Sequence, residues 1–248
     1  MLEDHVNETR DFTPEGHFIA YFDILGYESM AKTDEGVIDI AKKIDRCISK
    51  IREIVKIGQD VGLKRFNHEK TIKEHFTVQH KVFSDNFLIC SKKNWQSILV
   101  TSLLIQRYLL RDEIFIRGAL CHGNIYFSED FICGKGIISA YKLENEIAIF
   151  PRIIIDNSFL LASNYSSLEM FYARSDFDGQ NYLSYLSDDL PSDKKEFTRL
   201  LKLHKGKIEK NLQIYVENHR VLQKFQWCKN YHNQICKEKG LTDFLITL

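Results

Sequence analysis

Two short apolar segments of this chain each carry an aspartate, and these carboxylates constrain the fold more than any other feature. The segment HFIAYFDILGY, residues 17–27, is β-branched and aromatic and contains Asp23. The segment KVFSDNF, residues 81–87, places Asp85 in a Ser-Asp-Asn triplet that is typical of a tight turn between strands. A buried carboxylate is costly without compensation, so each aspartate is expected to bind a divalent cation, cap a turn, or pair with a Lys or Arg.

The periodicity of the apolar residues predicts the elements around these segments. Spacings of three or four between residues 36 and 63 indicate a long amphipathic helix. The remaining predictions are strands over 17–27, 77–83, 87–91, 114–122, 124–127 and 152–156, and helices over 94–112, capped by Asn94, and 134–147. This βαββαβ order predicts an α/β (α+β) fold, a ferredoxin-like sandwich with a largely antiparallel sheet and helices on one face.

The strand signal fades after Asn157. A loop-rich region to about residue 193 precedes a helical stretch over roughly 195–239, which is expected to break near Gly206. No flexible Gly/Ser linker separates this stretch from the core, so additional C-terminal helices are expected to pack on it. The predicted organisation is a lead-in over 1–16, a catalytic-type domain over 17–160, and a packed C-terminal extension over 161–248.

Charge and cysteine usage exclude several classes of protein. The 34 Lys and Arg residues balance the 34 Asp and Glu residues, so the sequence predicts neither a nucleic-acid nor an anionic-membrane partner. The six cysteines form no CxxC pair, and residues 1–10 lack the pattern of a signal peptide. The longest apolar stretches are about half the ~20 residues that cross a bilayer. We therefore expect a cytoplasmic protein with reduced thiols.

Four segments, in order, resemble the catalytic domain of the class III nucleotidyl cyclases. FDILGY (22–27) resembles the family's F-D-I-x-G-F, and KVFSD (81–85) resembles K-x-x-G-D with Ser84 in place of glycine. IRGALCHG (116–123) is similar to R-x-G-I-x-x-G, and GKGIISAYKLE (134–144) to G-x-x-V-N-x-A-x-R-L-E. Each motif alone is weak, but the resemblance covers about residues 17–156 in a fitting order of elements.

The resemblance implies an enzyme that converts a nucleoside triphosphate to a 3′,5′-cyclic nucleotide and pyrophosphate. Two Mg²⁺ or Mn²⁺ ions per active site are implied, bound by Asp23, Asp85 and the backbone carbonyl of Ile24. The other implied roles are triphosphate binding by the backbone of Ile24, Leu25, Gly26 and Tyr27, base reading by Lys81, phosphate contacts by Arg117, and a catalytic charge at Lys142. Since one catalytic domain is present, the family's shared active site implies a homodimer.

This sequence departs from the family at informative positions. The transition-state Asn falls on Ile138, which cannot hydrogen-bond, and the Arg falls on Lys142, which offers a point charge and not a fork. A purine-selective Asp expected near Phe131 is displaced to Asp130. Segments 140–144 and 148–153 resemble the bacterial Pycsar pyrimidine cyclases of antiphage defence. That resemblance implies a uridylate or cytidylate cyclase, with UTP favoured and then CTP, that makes cyclic UMP or CMP for a separate effector.

Other interpretations stay open. The domain could bind a nucleotide or a partner without turnover, it could be a purine (adenylyl or guanylyl) cyclase, or it could be a polymerase-type palm. Arg117 and Arg152 could each contact triphosphate or form an ion pair. Cys228, His232 and Cys236 have zinc-compatible helical spacing but are also typical of a half-buried stripe. Asp176, Asp178 and Gly179 faintly resemble a calcium loop but favour a simple turn.

Overall fold

The computed structural model describes residues 13–66, 78–164, 172–187 and 194–248, and it is a mixed α/β fold. Its strands are β1 (Glu15–Ile24), β2 (Gln79–Phe83), β3 (Asn86–Ser91), β4 (Ile116–Phe127), β5 (Ile132–Cys133), β6 (Ile153–Ile155), β7 (Ala173–Ser175) and β8 (Asn181–Leu183). Its α-helices are α1 (Tyr27–Met30), α2 (Asp34–Phe66), α3 (Trp95–Arg111), α4 (Lys135–Lys142), α5 (Asn157–Ala162), α6 (Lys194–Ile214) and α7 (His219–Glu238). A π-helical segment, Leu143–Ile147, continues α4, and a 3₁₀ helix, Thr242–Phe244, follows α7.

The sheet has the strand order β2-β3-β1-β4-β6-β8-β7, and β5 pairs with β4 outside this path. β1 is antiparallel to both β3 and β4. The β2-β3-β1-β4 part is the ferredoxin-like arrangement of a βαββαβ unit, which confirms the predicted fold class. β6 then pairs parallel with β4 and antiparallel with β8, so the described sheet extends beyond that unit.

The two faces of the sheet pack against different helices. Alternation along β1 sends Phe18, Ala20 and Phe22 into the large core that includes residues of α2, α3, α6 and α7. Ile19 packs on the opposite face with Ala140 of α4. The expectation that the helices lie on one face is therefore wrong for α4, while α6 and α7 contribute residues such as Leu200 and Phe225 to the large core.

Several predicted boundaries also need correction. The strands expected over 114–122 and 124–127 are one continuous strand, β4, and residues 64–66, expected in a loop, lie in α2. Gly206 does not break the helix: α6 continues to Ile214, because the cost of one glycine, about 1 kcal/mol, is offset where Leu201 and Ile208 are fully buried. β7 and β8 were not predicted. Residues 67–77, which include part of the predicted loop and the predicted start of a strand, lie outside the described residues.

The described residues also bear on the expected environment. No helix among them is long and apolar enough to span a bilayer. All six cysteines are free, and Cys133 is the exposed one.

Candidate active site

The two aspartates lie at the same end of neighbouring strands. Asp23 is the penultimate residue of β1 and pairs in register with Asn86, while Asp85 lies in the two-residue turn between β2 and β3. The backbone N–H of Ile24 donates to the carbonyl of Asp85 at 3.1 Å, which ties the turn to the end of β1. Ser84, in place of the family's glycine, has a left-handed φ of 57°. The expectation of neighbouring carboxylates is consistent with this arrangement.

Asp23 forms an ion pair with Arg117, its register partner on β4. Arg117 Nε lies 3.1 and 3.3 Å from the two carboxylate oxygens, and Nη2 lies 3.3 Å from one of them. The same guanidinium lies 2.8 Å from a carboxylate oxygen of Glu144 in the π-helical segment. Arg117 and Asp23 are each 18% exposed and Glu144 is 5% exposed, so one cation compensates two largely buried carboxylates.

Glu144 has a raised pKa at this site. Burial first, and the charge of Asp23 second, together raise its pKa to about 7 against the opposing charge of Arg117. The 2.8 Å contact with Arg117 lacks the alignment of a hydrogen bond, so Glu144 Oε1 is a buried oxygen without a hydrogen-bond donor. Asp85 contributes to the same shift, which places all three carboxylates within one electrostatic neighbourhood. The role of Glu144 was not predicted, although it ends the fourth motif.

A second polar chain connects Asp85 to the same face of the sheet. Asn86 Nδ2 donates to Asp85 Oδ1 at 3.0 Å, and the Tyr21 hydroxyl donates to Asn86 Oδ1 at 2.8 Å. Burial, followed by the charge of Glu144, raises the pKa of Tyr21 to about 12. Tyr21 therefore remains a neutral donor that holds Asn86 in one orientation. Tyr21 and Asn86 are further site residues that the sequence pattern did not identify.

The turn after β1 offers only part of the predicted backbone site. The Leu25 N–H donates to the carbonyl of Phe115 at 2.8 Å, and the Ile24 N–H is used by Asp85, so both amides are engaged within the fold. Gly26 has a left-handed φ of 79° and is the N-cap residue of α1, which starts at Tyr27. The first amides of this short helix lie directly after the carboxylates, and they are the part of the turn that we retain as a phosphate-binding candidate.

Two predicted lysines have other surroundings in this conformation. The Lys81 ammonium donates to the Glu129 carbonyl and lies 5.6 Å from the centre of the Phe127 ring. Lys142 is exposed at the C-terminal end of α4. A different lysine, Lys224 of α7, is half-buried near the site: its pKa is lowered by burial and then by Arg117, while Asp23 raises it. The C-terminal extension therefore contributes charge to the site.

Three other predicted features are structural in this fold. Arg152 is fully buried and pairs with Asp176 and Asp178, so it is unavailable to a triphosphate, and these aspartates lie in a turn. Cys228, His232 and Cys236 do not form a metal-binding cluster, since the described residues contain no group of three or more side chains placed to hold a metal ion. His232 instead lies 2.9 Å from the Phe244 carbonyl and 3.0 Å from a ring nitrogen of His204, in the buried packing of α6 and α7.

The carboxylate site fits a hard divalent cation. Asp23 and Asp85 supply the oxygen ligands that Mg²⁺ prefers, and a backbone carbonyl at Ile24 follows Asp23 directly. The raised pKa of Glu144, to which Asp23 and Asp85 both contribute after burial, indicates that Arg117 does not fully compensate the three carboxylates. A bound cation would remove this surplus. The donor set therefore fits the metal ions that the sequence resemblance implies.

Comparisons with known proteins give the following picture. No protein-family model matches the chain, and no curated protein matches it. Among solved structures, the monomeric guanylyl cyclase domain of the RhoGC fusion protein from the fungus Blastocladiella emersonii has a TM-score of 0.39 at 15% identity, covering 68% of this chain and 94% of that one. The catalytic core of a rhodopsin-guanylyl cyclase with converted specificity, in complex with ATPalphaS, has a TM-score of 0.41 at 16% identity over the same shares.

A third structure extends this picture. The adenylate/guanylate cyclase/hydrolase from Silicibacter pomeroyi has a TM-score of 0.39 at 19% identity and covers 61% of this chain and 81% of that one. The fold assignment made above rests on the strand order and register of the chain itself.

Proposed function

We propose that this protein is a nucleotidyl cyclase, which converts a nucleoside triphosphate to a 3′,5′-cyclic nucleotide and pyrophosphate. The observation that carries the proposal is the placement of Asp23 and Asp85 at the same end of adjacent strands, with more negative charge than Arg117 compensates. An excess of carboxylates at a strand end suits a metal-bound triphosphate, which brings the missing positive charge with it.

In this mechanism Asp23, Asp85 and the Ile24 carbonyl hold Mg²⁺ or Mn²⁺, two ions per active site. When bound, such ions lower the pKa of the attacking 3′-hydroxyl and stabilise the pyrophosphate leaving group. The oxygen of that hydroxyl forms a bond to the α-phosphorus. The bond between the α-phosphorus and the oxygen that bridges to the β-phosphate breaks, and the hydroxyl proton leaves to solvent. The chain's own residues must therefore hold the triphosphate in line for this attack.

Arg117 has a defined part in this mechanism. In the structure its guanidinium neutralises Asp23 and contacts Glu144. With Asp23 holding a cation, the same guanidinium would be available to donate two hydrogen bonds to the phosphates. The backbone amides of Gly26 and Tyr27, at the N-terminus of α1, bind phosphate oxygens in this proposal. Lys142 supplies a further positive charge from α4.

The substrate preference and biological role are proposed from the sequence. UTP is favoured and then CTP, with the Lys81 ammonium exchanging the Glu129 carbonyl for a carbonyl oxygen of the base. The product acts as a second messenger on a separate effector protein in antiphage defence. A purine cyclase is the alternative within the same chemistry, because the Lys81 donor would serve guanine O6 equally well.

A homodimer completes the proposal. On α4, Ile138 is 58% exposed and Tyr141 is 52% exposed, three residues apart and beside Lys142. Exposed apolar side chains next to a proposed catalytic residue support an interface at the active site. The active sites would then lie between the two subunits, and Lys142 would reach a site formed with the partner.

The test is incubation of the purified protein with each of the four ribonucleoside triphosphates and Mn²⁺, followed by mass spectrometry of the products. We expect a cyclic nucleotide from UTP, and a loss of at least 1000-fold, as an order of magnitude, in Asp23→Asn and Asp85→Asn. The matched control is Asp112→Asn, whose carboxylate pairs with Arg46 on the surface. Cyclic products from purine triphosphates alone would favour the purine alternative, and linear oligonucleotides would favour a polymerase.

A non-catalytic nucleotide- or partner-binding domain is the second candidate function. It is favoured by the ion pair that already occupies Asp23 and by Ile138 at the position where the family has its transition-state asparagine. Triphosphate binding that depends on Asp23 and Asp85, with no conversion of any of the four nucleotides, would establish this candidate and contradict the cyclase.

A further inference from the structure

A cavity of about 460 Å³ lies between α2, α3 and the β2-β3 hairpin, on the sheet face opposite to that of Asp23. Ile48, Ile51 and Val55 line it from α2. Val82 and Ile89 line it from the hairpin. The volume lies within the range of small-molecule sites, roughly 300–1,000 Å³, and the walls are aliphatic and aromatic.

The charged side chains among the described residues that line this cavity are cationic. Arg52 and Lys56 are four residues apart on α2, so they lie on the same helix face, and both are exposed. His80 of β2 faces them, and its Nε2 lies 3.1 Å from Arg52 Nη2. Because arginine is always charged, that His80 nitrogen is the acceptor. None of the described residues that line the cavity is acidic.

His80 does not add a third charge. Burial lowers the pKa of His80, and the Arg52 cation lowers it further, so the ring is neutral near pH 7. Lys81 also borders the cavity, but its ammonium binds the Glu129 carbonyl. The net result is an apolar cavity with two cationic side chains, Arg52 and Lys56, beside it.

We propose that this cavity binds a free aliphatic carboxylate, with the hydrocarbon chain against Val55, Val82 and Ile89 and the carboxylate at Arg52 and Lys56. An apolar volume whose charged lining residues are cationic is complementary to an amphiphile with one anionic end. A small anion without a hydrocarbon chain would not contact the apolar walls, and an uncharged hydrocarbon would not pair with the two cationic side chains. The site does not depend on the cyclase proposal, because Arg52, Lys56 and the apolar walls have no role in that proposal; Lys81 is the residue that borders the cavity and also has a role there.

The test measures displacement of dansyl-undecanoate fluorescence from the full chain by saturated carboxylates of increasing length. We expect each added methylene to tighten binding about fourfold until the cavity is filled. Dodecyltrimethylammonium, with the same chain and the opposite charge, should compete at least tenfold more weakly than dodecanoate. Equal competition by the two would overturn the proposal, and so would a lack of dependence on chain length.

Variants locate the site. The double variant Arg52→Ala/Lys56→Ala removes exposed side chains and should weaken dodecanoate at least tenfold, whereas Lys42→Gln, an exposed residue of the same helix outside the cavity, should not change it. Val55→Trp, which fills the cavity, should also lose dodecanoate. Unchanged binding in the double variant would overturn the proposal. So would sedimentation of the protein with anionic vesicles in the absence of soluble-carboxylate binding, since that result indicates a bilayer surface.

Discussion

Arg117 and Arg152 each bridge two carboxylates, but their surroundings differ. Arg152 has no exposed surface, and its terminal nitrogens bind Asp176 and Asp178. Its guanidinium lies 5.3 to 5.8 Å from the rings of Phe150, Tyr182 and Trp227. The Trp227 indole also donates to Asp176 at 2.6 Å. This arrangement shares Asp176 among fixed donors and holds β8, α7 and the loop before β6 together.

At Arg117 the carboxylates outnumber the groups that compensate them. Asp23 and Glu144 share one guanidinium, and Asp85 adds a third carboxylate to the same electrostatic neighbourhood, whereas Asp176 also accepts from Trp227. An arginine that bridges two carboxylates therefore does not by itself indicate either a functional or a structural role. The comparison teaches that unsatisfied negative charge, and not the presence of an ion pair, distinguishes a site able to receive a cation.

Removal of Arg152 should produce the largest effect on stability. Arg152→Leu leaves the Asp176 carboxylate, 12% exposed, without its cation, so we expect a loss of about 3–5 kcal/mol in the free energy of unfolding. Urea denaturation followed by circular dichroism measures it. Arg174→Leu is the matched control, since its ion pair with Glu238 is more exposed and should cost below about 1 kcal/mol. Similar losses in both variants would break the comparison.

Removal of Arg117 should have a smaller effect that divalent cations reverse. Arg117→Leu leaves Asp23 and Glu144 uncompensated, and we expect a loss of about 2 kcal/mol in metal-free buffer. Since the leucine does not compete for Asp23, Mn²⁺ should stabilise this variant more than it stabilises the wild type. Urea denaturation with Mn²⁺ or with EDTA measures the difference. An equal Mn²⁺ increment in both proteins would show that Arg117 does not occupy a cation site.

The third expected effect is a change in pH dependence at Glu144. Its folded pKa of about 7 lies above its unfolded value, so the wild type loses this contribution as pH rises from about 4.3 to about 7. Glu144→Gln lacks the titration, and its stability relative to wild type should rise over that window by at most about 1.4 kcal/mol per pH unit and then level off.

The pH dependence of the variant is compared with that of wild type because the titration of buried histidines changes stability in the opposite direction. Burial lowers the pKa values of His204 and His232, so their contribution to stability is lost as pH falls below about 6.5. Both proteins carry these histidines, and the difference curve cancels them. A difference curve that is flat between pH 4 and pH 7 would contradict the electrostatic account of Glu144.

Strong local patterns allowed the sequence to predict the βαββαβ unit. Asn94 was predicted to cap α3, and its side-chain oxygen accepts the Ser97 N–H at 2.9 Å. β7 and β8 were missed because they are three residues long and form through pairing, β8 with β6 and β7 with β8. Strands of that kind are defined by their partners and carry little periodicity of their own.

The candidate site also combines features that local sequence predicts with features that depend on tertiary packing. An aspartate in each of two apolar segments predicted neighbouring carboxylates, because burial restricts where charge can lie. The sequence left the role of Arg117 open between a phosphate ligand and an ion pair, and the structure contains the ion pair with Asp23. Glu144 and Lys224 could not be assigned, since they reach the site from the π-helical segment and from α7 through packing that no local pattern encodes.

The central claim is that Asp23 and Asp85 act together as a cation site, and a Mn²⁺ titration followed by electron paramagnetic resonance tests it most directly. The signal of free Mn²⁺ gives the bound fraction without any requirement for turnover. We predict that Asp23→Asn and Asp85→Asn each weaken Mn²⁺ binding at least tenfold, while Asp112→Asn binds like wild type. Equal Mn²⁺ affinity in wild type and all three folded variants would contradict the account.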